Sequence, residues 1–183
     1  LIYKAYLTGV LTDLYGDVPY SQSLKGKEGN VTPVYDAQRD IYLGKDGIIE
    51  NLTKAVSVIS AYKGAQALQG DIIFGGNLSA WRKLANSLKF KYLMRVSAQE
   101  NVVAELAKIY AGGDYIKLPS ENAVYQFTAS QPNNFRMSTA RVGDFNLFIM
   151  SETIEEILTK LNDPRRQIFF RPTANNASVY KGL

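Results

Sequence analysis

Residues 70–97, GDIIFGGNLSAWRKLANSLKFKYLMRVS, constrain this chain more than any other stretch, because a glycine-punctuated turn runs into a helical pattern that nothing interrupts. Asn77 is placed to cap the helix, since its side-chain oxygen can accept an orphan backbone N–H of the first turn. At helical spacing Leu78, Trp81, Leu84, Ala85, Leu88, Tyr92 and Val96 share one face, while Phe90, Leu93 and Met94 lie on the other side. A helix that is apolar on two sides has to be packed between neighbours. Arg82, Lys83, Lys89, Lys91 and Arg95 fill the remaining surface, with stems that lie along apolar neighbours and heads that reach water. Trp81 therefore reads as a core anchor rather than as a ring offered to a ligand.

The neighbours are legible in the same way. Residues 1–14 place Leu1, Ala5, Leu7, Val10, Leu11 and Leu14 at helical spacing, and Tyr15-Gly16 closes the helix where glycine can take a left-handed conformation. Pro19 then forces an extended exit at Val18. Asp13 and Asp17 read as carboxylates that tie loop backbone N–H groups, not as a cation or acid/base pair. Residues 35–59 repeat Ile41, Ile48, Ile49, Leu52, Ala55, Val56 and Ile59 at three- and four-residue steps. Gly44 and Gly47 would cost about 2 kcal/mol relative to alanine inside a helix, so a break is expected there. Residues 100–110 form a shorter amphipathic helix stopped by Gly112-Gly113. Ser151 caps a last helix, with Glu152, Glu155 and Glu156 at its positive end and Ile154, Ile157, Leu158 and Leu161 as the predicted buried side. Helices joined by short turns favour antiparallel pairs lying side by side, so the predicted class is mainly α. No 34-residue repeat is visible.

The chain contains neither cysteine nor histidine, which removes zinc clusters, thiol nucleophiles, disulfides and imidazole acid/base chemistry. Its net charge of +4 is scattered over the sequence, without the basic stripe a nucleic-acid partner requires. No run of about 18 apolar residues is present to span a bilayer. Glu152 and Glu156 share a face and invite comparison with a glycosidase pair. Their place at an exposed helix start favours ionised side chains, whereas a general acid needs a desolvated one. No catalytic residue, metal ligand or cofactor is assigned. Residues 114–146 differ in kind: 115–119 and 123–127 are β-prone, and the remainder is a long irregular stretch of the sort that is usually functional. It brings together Gln131, Asn133, Asn134, Phe135 and Arg136. Such a mixture suits sugars, because an aromatic face takes the C–H side of a pyranose while amides and a guanidinium satisfy its hydroxyls. The competing reading is a solvent-exposed loop whose Phe135 tucks into the helical scaffold.

The segment GDIIF at 70–74, with Trp81, LANSL at 84–88 and RVS at 95–97, resembles the signature of the SusD/RagB family of outer-membrane nutrient-binding lipoproteins of Bacteroidetes. TDLYGDVPYS at 12–21, TPVYDAQRDIY at 32–42 and SETIEEILTKLNDPR at 151–165 agree in the same order. The resemblance implies tetratricopeptide-like antiparallel helical hairpins with irregular loops and little β. It also implies non-catalytic capture of a glycan or oligosaccharide at the cell surface and its delivery to a TonB-dependent, SusC-like transporter. Membrane attachment would come only from a lipid anchor on an N-terminal lipobox cysteine outside these residues. On this reading residues 1–183 are a single SusD-like helical domain, a fragment without the lipobox and the C-terminal region. The glycines at 44–47 depart from the family, whose members usually read straight through that point. No glycan-contacting motif of the family carries over residue by residue, so residues 131–136 rest on their own chemistry. Two other classes stand beside this one: a helical-repeat module for a protein or peptide partner, and a glycoside hydrolase, which needs paired carboxylates in a cleft.

Overall fold

The central helix forms where its cap and its unbroken pattern require it. In a computed structural model, which describes residues 1–64, 68–136, 151–170 and 172, Asn77 accepts the Ala80 N–H at 3.1 Å and α4 runs Leu78–Val96. The helices around it are α1 (Ile2–Tyr15), α2 (Gln38–Leu43), α3 (Ile48–Ala61) and α5 (Val103–Gly112). The chain divides into two compact units, Leu1–Gln126 and Phe127–Leu183. The second contains α6 (Glu152–Lys160) and α7 (Arg165–Phe169). Among the described residues the protein is mainly α, with almost no strand.

In the first unit, α3 and α4 form an antiparallel hairpin. The C-terminal residues Val58 and Ile59 of α3 share a groove wall with Leu78 and Trp81 at the start of α4, while Thr53 and Val56 meet Asn86 and Lys89 further along. α5 returns antiparallel to α4: Arg82 pairs with Asp114 at 2.6 Å, just past the end of α5, and Lys89 pairs with Glu105 near its start. α1 lies along α4 in the same sense, with Tyr3 beside Trp81 and Asp13 beside Arg95. The core between them holds Ala5, Ile41, Ile48, Leu52, Ala85 and Tyr92, all essentially closed to solvent. Gly9 lets α1 approach, because a Cβ there would lie 2.7 Å from the Tyr92 ring at Cε1.

The glycine pair breaks the helix as expected. Gly44 and Gly47 flank the gap between α2 and α3, and the Asn51 amide closes it by donating to Gly47 O at 3.0 Å and to the Tyr20 hydroxyl at 2.9 Å.

Other expectations need correction. Asp17 does accept a backbone N–H, that of Gln38, at 2.8 Å. Asp13 instead takes the Tyr42 hydroxyl at 2.5 Å and an ion pair to Arg95 at 2.9 Å, because α1 points it at side chains of α2 and α4 and not at a loop. The β-prone stretches 115–119 and 123–127 are not strands. In the first of them backbone donors go to side chains and not to a neighbouring strand: Ile116 N donates to Ser87 Oγ, and Lys117 N donates to the Glu121 carboxylate. Lys89, assigned to the solvated surface, is 7% exposed, its head neutralised by Glu105. On α6 only Leu158 is buried, while Ile154, Ile157 and Leu161 face solvent. Among the described residues, no helix is long and apolar enough to cross a membrane.

Candidate functional site

The residues singled out for sugar chemistry fall on one tight turn, residues 127–136. Thr128 N donates to Asn133 O at 2.9 Å, Thr128 Oγ1 donates to Ser130 O at 2.7 Å, and an isolated bridge joins Thr128 to Asn134. The Gln131–Pro132 peptide is cis. Closing the turn brings Phe127 and Phe135 together edge to face, with ring centroids 5.3 Å apart and planes at 61°. Each of the two residues is 51% exposed. Gln131, Asn133 and Arg136 are exposed on the same turn, whereas Asn134 is buried and its amide donates to Phe135 O at 3.3 Å. Asn134 thus fixes the backbone of the turn and orients Phe135.

Phe127 joins this cluster although the sequence pattern makes it the end of the β-prone stretch 123–127. The signal that could have found it is the spacing: two phenylalanines eight residues apart, flanking a proline–asparagine turn, are brought together when the turn closes. The rest of the irregular stretch, residues 137–146, lies outside the described residues.

Trp81 is a different kind of aromatic. The rings of Tyr3 and Phe74 meet it in T-shaped contacts, with centroids 5.5 and 5.2 Å away, and only 8% of the residue is exposed. Its indole N–H donates to Asp71 at 2.7 Å, and the same carboxylate accepts the Gly76, Ile73 and Phe74 amides at 2.8, 2.9 and 3.1 Å. Partial desolvation opposes ionisation of Asp71, but these four donors outweigh it and hold its pKa down to about 2. The GDIIF turn is therefore a clasp on the Trp81 ring.

A polar cleft of about 530 Å³ opens beside Asp13, Arg39, Tyr42, Arg95 and Glu100. Its charges satisfy one another: Asp13 holds Arg95, and Arg39 holds Glu100 at 2.7 Å. Burial, followed by the adjacent Asp13 carboxylate, pushes the Tyr42 phenol up from its ordinary value. Glu152 and Glu156 sit on the exposed face of α6. Among the described residues no group of three or more acidic side chains is arranged to hold a metal ion.

A family signature described as starch-binding and associating with the outer membrane matches residues 1–183 in full. The chain belongs to this SusD-like family. A crystal structure of a Bacteroides vulgatus protein linked to nutrient binding at the outer membrane is 29% identical, with a TM-score of 0.71, over 89% of the SusD-like chain and 36% of its own. A SusD homologue from the same species is 28% identical, with a TM-score of 0.70, over 100% of this chain and 36% of its own. A chitin-binding protein is 28% identical, with a TM-score of 0.64, over 90% of this chain and 34% of its own. The SusD-like chain thus spans about a third of the length of these solved relatives. No curated protein matches it by sequence.

Proposed function

We propose that this SusD-like protein binds a glycan or oligosaccharide at the cell surface and delivers it, without catalysis, to a TonB-dependent, SusC-like transporter in the outer membrane. The observation that carries this reading is the match of the starch-binding family signature over residues 1–183. Residues 1–183 are read as part of one SusD-like domain of a longer polypeptide, held at the membrane by a lipid anchor outside them. Within the described residues, the 127–136 turn is the place where a sugar would be gripped. The exposed faces of Phe127 and Phe135 would take the C–H side of a pyranose ring, and the Gln131 and Asn133 amides with the Arg136 guanidinium would meet its hydroxyls. Asn134 would act through its hold on the Phe135 backbone.

The test is calorimetric titration of the complete protein against starch, chitin and other oligosaccharides, with peptides as controls. The expected result is saturable binding of at least one glycan, weakened about tenfold by Phe135→Ala, a loss of about 1.4 kcal/mol. Binding of peptides alone would overturn the sugar assignment. Glycan binding that ignores both phenylalanines would move the site away from this turn.

A further inference from the structure

We infer that Tyr110 and Tyr115, in the Leu1–Gln126 unit, form a second sugar platform that takes a pyranose carrying an anionic group, with the Lys117 ammonium as its counter-charge. The inference rests on the glycan reading for the class of ligand and not on the 127–136 turn. The two rings are stacked, with centroids 6.2 Å apart and planes 22° from parallel, and Lys117 Nζ lies 5.1 Å from the centre of the Tyr115 ring. Tyr115 is half-buried, whereas Tyr110 is 69% exposed. A stacked pair that served only to pack would close both rings; here one ring supports the other and leaves it open.

The pair is held by backbone with little freedom. Gly113 takes a left-handed φ of 65° and its N–H returns to Tyr110 O at 3.2 Å, so the chain reverses after α5 and brings Tyr115 back to Tyr110. A side chain at Gly113 would crowd Lys117, because a Cβ there would lie 3.2 Å from Nζ. From Asp114 to Glu121 the backbone is then tied to one face of α4. The Asn86 amide donates to Asp114 O at 2.7 Å, Ile116 N donates to Ser87 Oγ at 2.9 Å, and Glu121, paired with Lys83, accepts Lys117 N at 2.8 Å. A platform whose backbone is already fixed loses little freedom on binding. The same contacts set its charge. The nearby carboxylates are engaged, Asp114 by Arg82 and Glu121 by Lys83, and the Lys117 ammonium places a positive charge beside the rings. The ligand chemistry this selects is a sugar whose C–H face stacks on the open phenol ring and whose carboxylate or sulfate reaches the ammonium.

The test is calorimetric titration of the complete protein with trigalacturonate and its neutral methyl ester, and with a sulfated carrageenan tetrasaccharide and its desulfated form, so that a carboxylate is told from a sulfate. The expected result is that at least one anionic sugar binds about tenfold tighter than its neutral counterpart in about 20 mM salt, that the preference shrinks in about 500 mM salt, and that Lys117→Gln removes it. Tyr110→Ala should weaken the anionic sugar about tenfold, and Tyr110→Phe, which keeps the ring, should not. Circular dichroism checks that each variant is folded, and Lys117→Gln, at an exposed residue, decides the matter if Tyr110→Ala does not fold. Equal affinity for charged and neutral sugars would overturn the inference. So would a preference that survives Lys117→Gln, including one that disappears instead with Arg136→Gln, which would put the acidic sugar on the turn. Neutral glycans that bind through Phe135 while neither anionic sugar binds would overturn this inference and leave the proposed function standing, whereas no binding of any glycan would overturn both.

Discussion

In Leu1–Gln126 large side chains are closed into a core, whereas the 127–136 turn leaves its two phenylalanines half in water. Trp81 is fixed by two aromatic rings and a carboxylate that also organises the loop before it. Tyr92 is closed in by α1 and by the Tyr42 ring at 5.7 Å. Phe135 meets the Phe127 ring edge to face above a short closed turn. The difference teaches where binding can be tuned in such a fold. On the proposed reading, a change in the core of the helical unit would be read out as stability and a change on the turn as affinity.

The largest expected effect tests that division directly. Trp81→Ala should cost about 3–5 kcal/mol of unfolding free energy, because it removes a buried indole and takes from Asp71 one of its four donors. Phe135→Ala, at a half-exposed residue, should cost clearly less stability than Trp81→Ala while weakening glycan binding about tenfold. Urea unfolding and calorimetric titration of the same two proteins check both statements. A Phe135→Ala variant that loses as much stability as Trp81→Ala would erase the distinction.

Gly9→Ala sharpens the comparison within the helical unit. Helix propensity alone favours the change by about 1 kcal/mol. The added Cβ, however, would press on the ring of Tyr92, a side chain with no room to retreat. Net destabilisation of about 1–3 kcal/mol is expected, measured as a lower urea midpoint, with binding at the turn unaffected. Stabilisation would mean that α1 sits further from α4 than described.

Much of this division can be read from the amino acids, and the remainder is obscured for a physical reason. The Asn77 cap, the two-sided apolar pattern of α4 and the glycine pair at 44–47 act through the local backbone, so spacing alone reveals them. Periodicity says which residues share a face, but not whether that face finds a partner. For this reason Lys89, with Glu105 sixteen residues away, is buried against expectation, while Ile157 and Leu161 are exposed. The amide and guanidinium members of the turn were visible as a cluster of residue types. Phe127 was not, because its pairing with Phe135 depends on how the turn closes.

The smallest expected effect separates the two regions by pH. Asp71 is lowered from 3.8 to about 2, with burial opposing and the Trp81 indole and loop amides prevailing. Glu121 is lowered from 4.5 to about 2, chiefly by the Lys117 amide and then by the Lys83 ammonium. Both folded-state values lie below the unfolded ones, so each carboxylate stabilises the fold fully above about pH 4.5 and loses that contribution as the pH falls towards 2. The thermal midpoint should therefore hold steady from pH 7 to 5 and drop below about 4.5, and Asp71→Asn should flatten the drop while lowering the plateau. Residues 127–136 contain no acidic side chain. Glycan affinity should accordingly change by less than about twofold between pH 8 and 5. An affinity that follows a carboxylate titration in that window would place an acidic group against the sugar, and the turn would no longer account for binding by itself.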